Sequence, residues 1–178
     1  LHVVFRLRDP ETIEKKYNYV IGIDLNQTGI AAAVTNLKGA LVWAKFYTFT
    51  LPRDTERAKN IVGQTIKKIF EETKQFSPRL FAIGNTHMGK KMKIIFPFSK
   101  MKQIFRSRCA REKIPMRLVD EAWSSYITKL KYGYNRHEMA AYYIARWFLG
   151  YAARIRVNKK LKIIRYANEL FRKIRFVT

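Results

Sequence analysis

The stretch "VIGIDLNQTGIAAAVTN", Val20 to Asn36, decides the fold. A short apolar run ends in a carboxylate, Asp24. A polar turn follows, and then a second apolar run. Runs of this length bounded by turn residues read as two strands joined as a hairpin. A strongly basic chain thus places a carboxylate at the tip of a buried strand. Asp24 either forms the turn together with Asn26 or offers oxygen donors to a divalent ion.

Working outward, "KG" marks a turn and "ALVWAKFYTFT" a third strand, giving an antiparallel meander. "TERAKNIVGQTIKKIFEETKQF" repeats Ile61, Val62, Ile66, Ile69 and Phe70 at helical spacing. "RLFAIGNTH" reads as a fourth strand, preceded by Pro78 in a loop. "FSKMKQIFRSRCAREKI" puts Phe98, Met101, Ile104, Phe105 and Cys109 on one helical stripe, with Ser99 as its cap. "PMRLVDEA" is a short fifth strand. "HEMAAYYIARWFLGYAA" is an Ala-rich helix suited to close packing on a sheet. The order β-β-β-α-β-α-β-α predicts an α/β fold, a mixed five-stranded sheet flanked by helices. Upstream, "LHVVFRL" reads as a strand and "RDPETIEKK" as a linker. The division is 1–16, 17–151 for the domain, and 152–178 for a basic helical extension.

The chain has 178 residues, 48% of them hydrophobic, which suffices for one cored domain and excludes a disordered tail. No apolar run approaches the roughly 18 residues of a membrane span, and the first residues lack the long apolar stretch of a secretory signal. A lone Cys109 excludes an intrachain disulfide and a cysteine-rich zinc site. A reducing, cytoplasmic setting is expected. The chain begins with Leu, which fits a piece excised from a longer protein.

Lys and Arg number 36 against 13 Asp and Glu, a net +23. Such an excess predicts a polyanionic partner, nucleic acid before an anionic membrane. Lys90, Lys91 and Lys93 form one basic tract, read either as a solvated loop or as phosphate contacts. The stretch from Arg154 interleaves Arg156, Lys159, Lys160 and Lys162 with Leu161, Ile164, Leu170, Phe171 and Ile174. It reads as an amphipathic helix docked on the domain, with a basic face that is either solvated or laid along a nucleic-acid backbone.

Three segments, "VIGIDLNQTGIAAAVTNLKGALV", "IPMRLVDEAWSSYITKLKYG" and "NRHEMAAYYIARWFLGY", together resemble the RuvC-type nuclease domain of TnpB-like proteins. These are transposon-encoded RNA-guided nucleases related to type V CRISPR effectors. The resemblance runs from about Val20 to Tyr151, and its last segment is the most specific. It implies an RNase H-like fold, DNA and a guide RNA as partners, and cleavage assisted by Mg²⁺ or Mn²⁺. It implies that Asp24, with His137 and Glu138, forms the metal and catalytic site. It also implies that 1–16 is the tail of a preceding nucleic-acid-binding domain.

The chain departs from the family pattern at three points. The second acidic position, at the end of the fourth strand, is Gly84, which has no side chain to bind a metal. The third acidic position falls on His137, with Glu138 beside it; some RuvC-type nucleases use His there. The four-cysteine zinc ribbon of many members is missing. The fold and the nucleic-acid partner follow from the resemblance more firmly than cleavage does, and an inactive binding module of the same fold is the alternative. The other candidates keep two readings each. His137 and Glu138 also suit an ordinary helix start. Adjacent helical residues point about 100° apart, so only one of the two is expected to be a ligand. Asp120 and Glu121 are turn caps or substitute ligands. His87 is a loop or nucleic-acid contact rather than a ligand.

Overall fold

The apolar run forms β1 (Tyr19–Asn26) and its mate forms β2 (Gly29–Asn36). The computed structural model describes residues 18–85, 97–120 and 136–151. β3 (Leu41–Thr48), α1 (Thr55–Thr73), β4 (Pro78–Gly84), α2 (Phe98–Arg111), β5 (Met116–Val119) and α3 (Arg136–Phe148) follow in the expected order. The five strands make one sheet in the order β3-β2-β1-β4-β5. The meander β1-β2-β3 is antiparallel, and β4 and β5 add parallel to β1. The fold is α/β, with a mixed sheet covered by helices.

Side-chain alternation along each strand sorts the residues between two faces. Ile21, Ile23, Ile30, Val34, Phe81 and Ile83 face α1 and α2, packing with Val62, Ile66, Ile69, Phe70, Met101 and Phe105 in one cluster. Phe70 stacks on Phe81 at 4.4 Å between ring centroids. Each such side chain, fully buried, stabilises the fold by about 1.5–3 kcal/mol. The other face is built from small residues. Val20, Leu80 and Ala82 meet Ile144 and Ala145 of α3, and Ala31 and Ala33 meet Ala141 and Tyr142. Gly22 sits directly beneath the helix, where a Cβ would collide with the Ala141 carbonyl oxygen. The Ala-rich helix therefore lies close on the sheet, as its composition predicts.

Several local expectations are corrected. Ser99 does not cap α2. Pro97 holds the N-cap position and makes no side-chain cap bond, while Ser99 lies in the first turn. Pro78 is the first residue of β4 rather than a loop residue; an opening strand position tolerates its missing N–H. The last helix stops at Phe148, before the expected end, because Gly150 takes a left-handed φ of 76°. The Tyr151 N–H then returns to the Arg146 carbonyl, closing the helix. β5 is confined to Met116–Val119. α1 begins as expected, its N-cap Asp54 accepting from the Glu56 and Arg57 amides.

The "KG" turn forms at Lys38–Gly39, with Gly39 at φ 77°. α3 grips this turn. Tyr142 Oη and Arg146 Nη1 donate to the Gly39 carbonyl at 2.8 and 3.1 Å, and Tyr151 Oη donates to that of Leu37. Among the described residues no helix is long and apolar enough to cross a membrane. The upstream strand and linker, the three lysines Lys90, Lys91 and Lys93, His87, Glu121 and the basic extension from 152 on lie outside the described residues.

Candidate functional site

Asp24 falls where the alternation of β1 turns it toward α3, and it is 5% exposed. Across the sheet it sits opposite Ala31 of β2, which sits opposite Phe46 of β3. Directly opposed residues share a face. Asp24, Ala31 and Phe46 therefore form one row beneath the first turn of α3. Ala31 is small enough to leave the space between the carboxylate and the ring open to a side chain from above.

His137 enters that space. Its ring stacks on Phe46, with centroids 4.6 Å apart and planes 20° from parallel. Its Nδ1 lies 3.3 Å from Asp24 Oδ2, and its side chain is 33% exposed. Asn26 Nδ2 donates to the same carboxylate oxygen at 2.8 Å. The Asn26 amide thus orients the carboxylate, and Phe46 orients the imidazole. A buried carboxylate costs free energy unless it is paired and hydrogen-bonded, and here both partners reach it.

Gly84 is the last residue of β4, and it is buried. The β1–β4 register ends with Ile23 beside Ile83. Gly84 continues that register next to Asp24, on the same face, in a strand about 4.8 Å away. Its φ is not in the left-handed region that favours glycine: among the described glycines only Gly39 and Gly150 have positive φ. Just beyond it, Asn85 N–H bonds to the Val119 carbonyl, and Lys102 Nζ of α2 donates to Asn85 Oδ1 at 2.7 Å.

Asp24 and His137 are thus brought into contact. Glu138 is half-buried in the first turn of α3, and no three of His, Cys, Asp or Glu converge among the described residues. Asp120 is exposed at the end of β5. Two ligands on neighbouring corners of an octahedral ion, with bonds of about 2.1 Å, lie about 3 Å apart. The Asp24–His137 spacing therefore suits one edge of a single Mg²⁺ or Mn²⁺. The described donors do not suit a pair of such ions, which needs carboxylates around both. Sequence reasoning misses Phe46 as a site residue. Its signal is an aromatic at an inward position of a half-polar strand, and only the cross-strand register gives that position meaning.

No protein-family model matches the chain, and no curated protein matches it. In structure it is similar to Thermus thermophilus RuvC in complex with Holliday junction substrate, with a TM-score of 0.58 at 15% identity, over 72% of this chain and 90% of that one. A second Thermus thermophilus RuvC structure gives 0.47 at 15% identity, over 74% and 80%. The fowlpox virus Holliday junction resolvase gives 0.47 at 10%, over 73% and 95%. The last two scores are too low to carry an argument. The first establishes a RuvC-like, RNase H-like fold. The narrower likeness to TnpB-like nucleases rests on the three sequence segments alone.

Proposed function

We propose that the chain is a nucleic-acid-binding domain of RuvC fold, of TnpB-like kind, whose site cuts DNA little or not at all. DNA and a guide RNA are its partners in this reading. The observation that carries it is the row at the sheet edge. Asp24 is buried, oriented and paired with His137, and the strand beside it ends in Gly84. The fold supports the nucleic-acid reading, and so does the charge of +23.

The residues present do part of a nuclease's work. Asn26 holds the carboxylate of Asp24 in one orientation. Phe46 and Asp24 together hold the imidazole of His137. A divalent ion, when bound at such an edge, supplies positive charge to phosphate oxygens. With Asp24 as the main carboxylate at this edge among the described residues, an ion would be held weakly, short of the anionic density that a two-ion reaction needs.

The test is cleavage of end-labelled DNA in Mg²⁺ or Mn²⁺ by three versions of the chain. The unmodified chain is expected to show little or no cutting. Gly84→Glu places a carboxylate beside Asp24 and should raise metal affinity and cutting together, by about tenfold or more, the scale on which groups supporting a metal act. Adding Asp24→Ala should abolish the gain. Robust cutting by the unmodified chain that survives Asp24→Ala would overturn this account of the site.

A further inference from the structure

The two helices on the Ile21 face carry their charge differently. α1 mixes signs and pairs them: Lys59 lies 3.4 Å from Glu56 and Lys67 3.8 Å from Glu71, and Lys68 acts on Glu72 through charge. α2 runs "FSKMKQIFRSRCAR" without an acidic residue. Its buried side is Phe98, Met101, Phe105 and Cys109. Its exposed side carries Lys100, Arg106 and Arg111, interspersed with Ser99, Gln103 and Ser107. Arg108, turned toward α1 over the Phe70 ring, pairs with Glu112 at 2.9 Å. Among the described residues Lys100, Arg106 and Arg111 have no such counter-charge.

The placement of this face gives it direction. Lys102, one turn into α2, reaches Asn85 at the end of β4, next to Gly84. The N-terminal end of α2 therefore lies at the sheet edge that carries Asp24. Its other end leads through Ile114 to β5, whose Met116 pairs with Phe81 farther back along β4. From Lys100 to Arg111 the helix rises about 16 Å. Measured along the axis of a duplex, that length covers about five phosphates of one strand at a rise of roughly 3.4 Å each.

We propose that the exposed face of α2, through Lys100, Arg106 and Arg111, binds the phosphodiester backbone of a nucleic-acid strand leading away from the Asp24 edge. The inference rests on the nucleic-acid reading above and names the surface that does the binding. Each of these three cations that neutralises a phosphate releases counterions condensed on the nucleic acid. The hydroxyls and amide between them offer the neutral hydrogen bonds that accompany such contacts. The cations of α1 are already compensated by their own carboxylates and gain less.

The test compares two variants of the full chain with equal loss of charge. One is Lys100→Gln, Arg106→Gln, Arg111→Gln on α2. The other is Lys59→Gln, Lys67→Gln, Lys68→Gln on α1. Binding to duplex DNA, single-stranded DNA and single-stranded RNA is measured across a salt series, with thermal melting as the check on folding. The α2 variant should bind at least tenfold more weakly at low salt. Its log–log salt slope should be shallower by about 2.7 on duplex DNA or about 2.1 on single strands. The three substrates show which strand the face takes. The α1 variant should change little. Equal losses from the two variants would mean that net charge alone binds, and would overturn the proposal. If the unmodified chain binds none of the three substrates, the functional reading itself fails. Binding that is unmoved by the α2 variant defeats only the assignment to α2.

Discussion

The carboxylate of Asp24 is held by an amide two residues away, an imidazole more than a hundred residues away, and no neighbour on β4. A strand-tip position and a polar residue at Asn26 are visible in the sequence, as is His137 at a helix start. Those features are local, and local features survive in a one-dimensional reading. The stacking of Phe46 is different in kind, because it depends on the register of β3 against β2, including the irregularity between Val34 and Thr35. Cys109 gives a clean readout at this scale. The stripe on α2 predicts it to be buried, and it is 2% exposed. Burial pushes its thiol up to about 12. Thiolate is the reactive form, so iodoacetamide at pH 8 should modify the folded chain at least about a hundredfold more slowly than the urea-unfolded chain. As the only cysteine, it should label in step with global unfolding as followed by circular dichroism. Rapid labelling of the folded chain would show that α2 opens on its own.

At the scale of elements, every α-helix and strand within the described residues is legible in the sequence, because apolar periodicity is set by which face is buried. The run expected as one helix to Phe76, however, leaves the α-helix at Thr73 and ends in a 3-10 turn, Lys74–Phe76. The ends are less legible. Ser99 looks like a cap in sequence, yet Pro97 starts α2, and Gly150 stops α3 before the apolar pattern ends. The closeness of α3 to β1 is legible only as alanine content, and Gly22 shows what it requires. Gly22→Ala puts a methyl into the Ala141 backbone, which cannot swing aside as a side chain can. The expected cost is about 3 kcal/mol or more, at the upper end for overpacking. Gly63 is the control with the opposite sign. It lies inside α1 with nothing within 4 Å of an added Cβ. Gly63→Ala should stabilise by up to about 1 kcal/mol through helix propensity alone. Urea titrations of the two variants against the unmodified chain measure both. A Gly22→Ala midpoint equal to that of the unmodified chain would mean that α3 does not rest on β1 as described.

For the whole molecule, the fold and the charge are set independently. A sheet of RuvC topology is built by apolar patterning, whereas +23 is a property of the surface. The basic extension adds Arg154, Arg156, Lys159, Lys160 and Lys162 beyond the last described residue, Tyr151. The described core is closed without them: α3 is capped at Gly150, and Tyr151 is tied to the β2–β3 turn. Charge reversal at Lys159, Lys160 and Lys162 should therefore leave the melting temperature within about 2 °C. Its effect on binding should be large. If these lysines neutralise phosphates, reversing them makes the salt slope on duplex DNA shallower by about 0.9 for each phosphate that is no longer neutralised. Combining them with the α2 substitutions then distinguishes two arrangements. Sites that hold separate stretches of one bound strand lose slope additively. Sites that compete for the same phosphates lose less together than the sum of their separate losses. A reversed variant that melts as before and keeps the full slope would remove the extension from the binding surface and leave α2 to account for it.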